Sequence, residues 1–499
     1  MEKTEKASSY SHILKYTGIF GSVQVIGILI NILRVKIIAV LLGPQGVGLI
    51  SLFNSTVKFI SDSTNLGLSM GAVKKVSMSF DEGNAERLNE SIRIVRTISL
   101  FTAILGTLVG LIASPWLSKY TFHWDGHIVH FICLSPAIGL IAITGGEVAI
   151  LKGIRQLGKL AKTTIYYLVA SFFASVPLYF LFGMAGIVPA IVLMALSQML
   201  ITITYSYHLH PLQLRRERDV FKKSYDMVSL GIGFVLANVA NAAADLIIRS
   251  YINNISGPDT VGLYNAGFMM TMTYAGMIFS SLDADYYPRL SAIKELGKEF
   301  NNTVNRQIEV TLLLIAPFLT LLMIGLPILL PMFYSTRFLP AVEMIQLIII
   351  AMYLRAVKLP IAYMPLARNA SRSYLLMEGI YAVVLVCSTI FFYNKYGLLG
   401  AGMAILFTAT FDFLMLMAYM RYRFGYVMSA TVVKYICLQF PVGILAYLVT
   451  VMTTSWTYWV LGISVVAISS AISLTILRSK TNLWKALTQK FKGKGKLEP

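Results

Sequence analysis

Six cationic side chains lie deep inside long apolar stretches of this sequence, where a charge has no water to solvate it, and a seventh, Lys434, lies near the end of its stretch. A charge at the middle of a membrane costs at least about 2.5–3.5 kcal/mol, so such residues usually face a cavity or an opposite charge. Arg binds a phosphate through two parallel donors, whereas Lys acts as a compact point charge. Together these residues could bind an anion such as a diphosphate. They are Arg34, Lys36, Lys58, Arg249, Arg355 and Lys358.

Some of these cations also have a purely structural interpretation. Arg249 follows Asp245 by four residues, and Lys58 precedes Asp62 by four, which is the spacing of an ion pair within one helix. Lys36 is close enough to the end of its stretch to reach the membrane surface. We therefore expect the cavity to be lined first by the cations that have no local partner: Arg34, Arg355 and Lys358.

Embedded carboxylates are candidates for coupling transport to an ion gradient. A low dielectric favours the protonated form of a carboxylate, which can then carry a proton or, when ionised, bind sodium. The embedded acids are Asp62, Glu147, Asp245, Glu378 and Asp412. The first three are the candidates selected for coupling, and each of the five could instead be the structural partner of a nearby Lys or Arg. The sequence has no HExxH motif, Walker loop, dinucleotide fingerprint or GxSxG elbow. We expect no metal, no cofactor and no catalytic residue, and any active transport would be secondary.

The composition indicates that these charged residues belong to a membrane protein. The chain has 499 residues, is 57% hydrophobic with mean hydropathy +0.70, and only 13% of its residues are charged. A soluble protein of this size needs more polar surface, so soluble enzymes, disordered chains and disulfide scaffolds are excluded. The sequence predicts an all-α polytopic membrane protein. Its three cysteines lie in apolar runs and predict no disulfide framework.

About 20 apolar residues are needed for one helix to cross a membrane. The sequence contains fourteen such stretches, and they are predicted at 16–42, 46–72, 95–114, 128–151, 163–181, 186–207, 227–252, 261–284, 308–333, 341–364, 374–393, 398–420, 433–452 and 456–477.

The Lys and Arg residues between these stretches predict the orientation. Of the 42, 32 fall in one alternate set of loops and only Lys119, Arg337 and Lys395 in the other. Because cytoplasmic loops are enriched in positive charge, both termini are predicted to be cytoplasmic. The net charge of +19 is thus explained by topology, and no nucleic-acid partner is expected.

An internal repeat appears at one constant offset along the chain. GPQGVGL at 43–49 recurs as GPDTVGL at 257–263, and the same offset places Gly183 on Gly397. Six spans per copy give both copies the same orientation, so they are parallel repeats that can rock about a central site. We predict an N-lobe at 1–220, a C-lobe at 221–430, an extra helix pair at 431–477 and a basic cytoplasmic tail at 478–499.

Two segments resemble a known family. They are LLGPQGVGLISLFNSTVKFI with LGLSMGAVKKVS (41–77) and FYSTRFLPAVEMIQLIIIAMYLRAVKLPIAYMPLARNASRSYLLMEG (333–379). Both resemble Wzx-type lipid-linked oligosaccharide flippases, including O-antigen translocases, of the multidrug/oligosaccharidyl-lipid/polysaccharide (MOP) exporter superfamily. The resemblance spans about residues 10–425, and many relatives have about twelve spans, so the last helix pair is a departure.

The resemblance implies a function. Two six-helix lobes would surround a cationic cavity and move an undecaprenyl-diphosphate-linked glycan to the periplasmic leaflet of a bacterial inner membrane. It supports Arg249 and Arg355, and it adds Lys74 and Arg368 at the inner mouth. Expected partners are that glycan, membrane lipid and polysaccharide-assembly proteins. A monomer is expected because the two lobes already supply an internal pseudo-symmetry.

Four alternatives stay open from sequence. A multidrug or cation antiporter of the same superfamily would have a mainly acidic and aromatic cavity. An intramembrane glycan enzyme would need a catalytic cluster and a large outer loop. A scramblase or structural membrane protein would not need unpaired embedded cations. A peptidoglycan-precursor flippase would also carry an undecaprenyl diphosphate, and cavity charge alone does not distinguish it.

Overall fold

The chain is helical throughout the part that the structure describes. The computed structural model describes residues 2–65, 67–122, 125–212, 220–293, 295–368, 370–452 and 456–480. No strand occurs in these ranges, which confirms the all-α prediction. The predicted tail beyond residue 480 and residues 213–219, beside the predicted lobe boundary, lie outside them. The α-helices are α1 (Glu2–Thr64), α2 (Leu68–Asp81), α3 (Ala85–Phe122), α4 (Ile128–Gly153), α5 (Leu157–Phe182), α6 (Ile187–Leu209), α7 (Val220–Phe268), α8 (Gly276–Ala292), α9 (Lys298–Phe333), α10 (Val342–Ala362), α11 (Met364–Ala367), α12 (Ser371–Phe424), α13 (Ala430–Met452) and α14 (Trp456–Lys480).

The described chain is that of a multi-pass membrane protein. Nine of its helical stretches are long and apolar enough to cross a membrane. The count of fourteen spans stays a prediction. Part of the difference arises because Leu29–Thr64 and Arg372–Phe424 each count as one stretch, although each holds two helices joined at a kink where the sequence predicts two spans. The kink of each stretch lies at one glycine with positive φ, namely Gly43 (φ 65°) and Gly397 (φ 56°).

The backbone repeats with the same offset as the sequence. Gly43 (φ 65°, ψ −168°) and Gly257 (φ 81°, ψ 174°) occupy equivalent repeat positions and share a conformation that side-chain-bearing residues avoid. Gly183 (φ 55°, ψ −127°) and Gly397 (φ 56°, ψ −134°) form a second such pair. The repeat therefore fixes where the helical segments change direction.

Two compact units divide the chain. The first contains Met1–Asn265, Met332–Arg337 and Glu378–Val386. Its core includes a cluster in which α2, α3 and α4 meet, with Val76, Val95 and Ile150 fully buried. Close van der Waals packing of these aliphatic side chains holds the helices together.

The second unit contains Ala266–Pro331, Phe338–Met377 and Cys387–Pro499. Its core lies among α8, α9, α10, α12 and α13, and Tyr286 and Phe300 are fully buried in it. The predicted lobes at 1–220 and 221–430 stay a prediction.

Helices α13 and α14 occupy the segment predicted to hold an extra helix pair. Gln439 on α13 donates a 2.9 Å hydrogen bond to Ser473 on α14, so polar groups join the pair internally. Tyr458 donates a 2.6 Å hydrogen bond to the carbonyl oxygen of Ile324 on α9. Gly443 lies directly against the ring of Tyr353 on α10. The pair is therefore an integral part of the second unit.

Candidate functional site

Arg34 is a half-buried cation held by neutral groups. It lies on α1, where its Nη1 donates to Ser171 Oγ of α5 and to Met194 Sδ of α6, both at 3.3 Å. Its Nη2 donates to Asn31 Oδ1 at 3.1 Å, and its buried Nε has no hydrogen-bond partner among the described residues. Within the described ranges no carboxylate pairs with Arg34. Its positive charge is positioned but not neutralised.

Arg355 on α10 is a half-buried cation of the second unit. Its Nη1 donates to Met272 Sδ at 3.2 Å, and its buried Nε has no hydrogen-bond partner in the part of the chain that the structure describes. The side chain is half-buried, and no described acidic group is paired with it. Thioether sulfur is a weak acceptor, so the described contacts satisfy this guanidinium only weakly.

Lys358, three residues after Arg355, has a different environment. Its ammonium group forms an ion pair with the carboxylate of Asp412 on α12. Asp412 is buried, so Lys358 balances a charge that would otherwise be isolated in the core. The structure places Arg355 and Lys358 on one helix, as predicted, but only Arg355 lacks an acidic partner in the described part.

Arg249 is the most deeply buried of the six predicted cations, with 5% of its side chain exposed. It forms the predicted ion pair with Asp245. Its Nε donates to Ser51 Oγ at 2.6 Å, and its Nη2 lies 3.4 Å from Asn265 Oδ1. Tyr264 faces it at 5.7 Å from the ring centroid. Its donors are thus directed to protein groups.

Lys58 and Asp62 form the ion pair that their spacing predicts, with 2.5 Å between Nζ and Oδ2. Lys58 is 59% exposed, so its ammonium is also within reach of other groups at the surface of the first unit. Lys36 is half-buried on α1.

Lys74 and Arg368 are the residues predicted at the inner mouth. Lys74 is exposed on α2. Arg368 ends the short helix α11, and its guanidinium lies 4.6 Å from the ring centroid of Phe300. Their predicted role at the entrance to a cavity stays a prediction.

Glu147, a candidate for ion coupling, is the partner of Arg96. Arg96 Nε lies 2.9 Å from Glu147 Oε1, and Ser206 donates a 2.5 Å hydrogen bond to Oε2. The same guanidinium donates to the carbonyl oxygen of His210 at 2.9 Å and lies 4.2 Å from the ring centroid of Tyr207. Burial, together with the Arg96 charge, lowers the pKa of His210. This network joins α3, α4 and the end of α6.

Sequence spacing identifies ion pairs within one helix and leaves out those between helices. It finds Lys58–Asp62 and Arg249–Asp245, because residues four apart share a helix face. The pairs Arg96–Glu147 and Lys358–Asp412 join different helices. Arg96 stands at the edge of a predicted span and is therefore counted with the loop cations. No group of three or more potential metal ligands occurs among the described residues.

The sequence matches a known family over most of its length. The family model described as "Polysaccharide biosynthesis protein" matches residues 37–343. The chain belongs to this family. The matched region contains the Gly-Pro kinks and Arg249, and the predicted resemblance is confirmed at the level of a polysaccharide biosynthesis family. No curated protein sequence matches the chain.

Solved structures with the same fold as this polysaccharide biosynthesis protein are transporters. An inward closed structure of the lipid II flippase MurJ has a TM-score of 0.71 at 13% identity, covering 92% of this chain and 99% of its own. An inward-facing MATE multidrug transporter of the MOP superfamily has a TM-score of 0.66 at 16% identity, and the match covers 80% of this chain and 94% of the transporter. A MOP superfamily transporter from Pyrococcus furiosus has a TM-score of 0.58 at 15% identity, and the match covers 82% of this chain and 93% of that transporter. These likenesses show that the fold is that of the MOP transporters.

Proposed function

We propose that this protein is a flippase that moves an undecaprenyl-diphosphate-linked oligosaccharide from the cytoplasmic to the periplasmic leaflet. The cargo would be an O-antigen or a related surface-polysaccharide unit. The observation that carries the proposal is that Arg34 and Arg355 are half-buried and, among the described residues, donate hydrogen bonds only to neutral acceptors. A desolvated cation without a counter-charge is costly, so these two positions suit an anionic ligand. A diphosphate supplies the oxygens and the charge that both guanidinium groups lack.

The proposed mechanism separates the two parts of the cargo. The diphosphate and the sugars occupy a cationic cavity, whereas the polyprenyl chain stays in the lipid. Fixed cations replace the hydration of the diphosphate and lower the barrier to crossing the membrane. The two repeats alternate between inward-open and outward-open states around the bound headgroup. The fold shared with the lipid II flippase MurJ supports this arrangement.

A multidrug or cation antiporter is the second candidate, because MATE multidrug transporters share the fold. A cationic drug requires a carboxylate that is not already neutralised. Here Asp62, Glu147, Asp245 and Asp412 are each paired with a Lys or Arg of the same unit. Arg34 and Arg355 lack a described counter-charge, and among the carboxylates Glu378 does too. Two such cationic positions against this acidic one favour the flippase over the antiporter.

Glu378 is the embedded carboxylate that would best serve such an antiporter. It is half-buried, and its Oε2 accepts a 3.0 Å hydrogen bond from the amide of Asn241, with no Lys or Arg paired to it among the described residues. Glu378→Gln should abolish drug transport if the protein is an antiporter, whereas a flippase with this substitution should keep its glycan-lipid transfer.

Leaflet transfer in proteoliposomes tests the proposal. The cargo is a labelled undecaprenyl-diphosphate oligosaccharide, and transfer is followed by the access of an impermeant sugar-modifying reagent. We expect Arg34→Ala and Arg355→Ala each to lower the transfer rate about tenfold or more, as the loss of a charge-assisted contact implies. Lys395→Ala is the matched control, because this exposed lysine lies outside the predicted site and its ammonium is 4.4 Å from the ring centroid of Phe391.

Two further arms separate the alternatives. Equal loss of transfer and of membrane abundance in the Ala variants would indicate a folding role. Transport of rhodamine 6G without glycan-lipid transfer would favour the antiporter.

Imposed proton or sodium gradients test the coupling role proposed for Asp62, Glu147 and Asp245. We place the protein in a bacterial inner membrane, as the family resemblance implies, with both termini in the cytoplasm, as the loop charges predict.

A further inference from the structure

The two Gly-Pro kinks bring equivalent segments of the repeat into backbone contact. A Cβ atom on Gly48 would collide with the carbonyl oxygen of Pro258, and one on Gly262 would collide with that of Pro44. Gly48 and Gly262 are equivalent positions of the repeat, as are Pro44 and Pro258. The contact is therefore reciprocal, as expected where two copies of one element meet across a pseudo-two-fold axis. It lies within the first unit.

A polar layer lies one turn further along these helices. Ser51 and Asn265 also occupy equivalent repeat positions, and their side chains form a 3.0 Å hydrogen bond. Arg249 contacts both residues through Nε and Nη2, and Asp245 neutralises it. The arrangement joins one helix of each repeat through a single buried guanidinium.

We propose that Arg249, Ser51 and Asn265 form a latch that closes the predicted outer side of the transporter, and that it must open in each transport cycle. The inference rests on the proposed flippase function, and it assigns Arg249 to gating. The Gly-Pro turns lie at the ends of spans predicted to face away from the cytoplasm, so the latch lies on the exit side.

The chemistry of this layer suits a contact that is made and broken repeatedly. When the latch opens, water replaces the protein partners in these hydrogen bonds, and the net change in free energy is small. The reciprocal glycines add close contact without interlocking side chains, so the two segments can separate without repacking a core. A layer of interdigitated aliphatic residues would resist separation far more strongly.

Reversible crosslinking tests the latch. Ser51→Cys/Asn265→Cys is made in a background in which Cys133, Cys387 and Cys437 are replaced by Ala. A short bis-methanethiosulfonate crosslinker joins the pair, and dithiothreitol releases it. We expect crosslinking to abolish glycan-lipid transfer and reduction to restore it in the same polypeptide. Transfer at the same rate in the crosslinked and reduced forms overturns the proposal.

A matched pair of cysteines controls for the crosslink itself. Ser388→Cys/Thr408→Cys replaces two buried side chains that are 2.9 Å apart and belong to one predicted lobe. We expect that crosslink to leave transfer unchanged. If transfer is absent even in the cysteine-free parent that keeps Ser51 and Asn265, the flippase proposal fails, and a second measurement decides on the latch.

The second measurement needs no substrate. Ser55→Cys places a reporter one turn beyond Ser51, at a position that is 5% exposed. In oriented membrane vesicles, Arg249→Gln is expected to raise labelling by an impermeant maleimide from the outer side about tenfold, since a lost charge-assisted hydrogen bond shifts a two-state equilibrium by roughly that factor. Unchanged labelling in a folded variant overturns the latch.

Discussion

Arg96 Nε and Glu147 Oε1 lie 2.9 Å apart, and the two side chains are only 9% and 3% exposed. The pair ties α3 to α4, and Arg96 also binds the carbonyl oxygen of His210 at the end of α6. Both charges are neutralised inside the first unit. Each partner is therefore essential to the burial of the other, and the network can hold three helix ends in register.

Removing one partner of this pair should destabilise the protein. Glu147→Ala leaves the Arg96 guanidinium buried without a counter-charge, which is expected to lower the free energy of unfolding by about 3–5 kcal/mol. Denaturant unfolding in detergent measures the change. Glu82→Ala is the control, because Glu82 pairs with Arg87 on the surface, where the two side chains are 46% and 66% exposed. The control should change stability by less than about 1 kcal/mol.

A different result would support ion coupling by Glu147, which is the role predicted from the sequence. If Glu147→Gln is fully stable but loses only the dependence of transfer on a proton or sodium gradient, Glu147 carries the coupling ion. Stability and gradient dependence are thus measured on the same variants.

Sequence alone could predict the features that are local or periodic. The offset of the repeat places Gly43 on Gly257 and Gly183 on Gly397, and all four have positive φ in the structure. Apolar stretches predict membrane helices because lipid requires internally hydrogen-bonded segments. The resemblance to a polysaccharide-related family rests on segments 41–77 and 333–379, and the family match over 37–343 confirms it.

Partners on different helices could not be predicted in this way. Nothing in the spacing of Lys358 and Asp412 indicates that α10 and α12 bring them together. Their ion pair depends on helix packing, which one sequence does not reveal. For the same reason the sequence treats Lys358 like Arg355, although only Lys358 is paired with a described carboxylate.

A double-mutant cycle should separate structure from transport at Lys358. Asp412→Leu alone leaves a buried ammonium, and Lys358→Met alone leaves a buried carboxylate, so each should cost about 3–5 kcal/mol. The double variant should recover most of this loss, because buried pairs are often replaceable by apolar residues. Unfolding measures the cycle. Normal leaflet transfer by the stable double variant would contradict a substrate-binding role for Lys358.

A charge-conserving change should show what Arg34 contributes. Arg34→Lys keeps the charge but loses the planar fork that contacts Ser171, Met194 and Asn31. We expect transfer between that of wild type and that of Arg34→Ala, with a higher half-saturating cargo concentration. Wild-type transfer by both variants would contradict a binding role for Arg34.

Acid should weaken the part of the first unit that surrounds His127. Burial, and then the neighbouring His130 charge, lower the pKa of the His127 imidazole. The folded state then binds fewer protons than the unfolded state as the pH falls below about 6.5, so stability decreases on acidification. His127→Phe preserves the ring that stacks on Phe122 at 4.1 Å but removes the titration. The melting temperature should fall less between pH 7 and pH 5 in this variant than in wild type.

Alanine substitutions at Gly443 on α13 and at Gly379 on α12 should change the free energy of unfolding in opposite directions. A Cβ on Gly443 would lie 2.8 Å from Tyr353 Cζ, and the Tyr353 hydroxyl is held by Thr320 at 2.8 Å, so the ring has little room to move. Gly443→Ala should lower the free energy of unfolding by about 1–3 kcal/mol through overpacking. Gly379 on α12 has open space where its Cβ would be. Gly379→Ala should therefore raise stability by up to about 1 kcal/mol, because Ala is the better helix former. Unfolding in detergent checks both, and a stabilised Gly443→Ala variant would mean that α13 is not held against Tyr353.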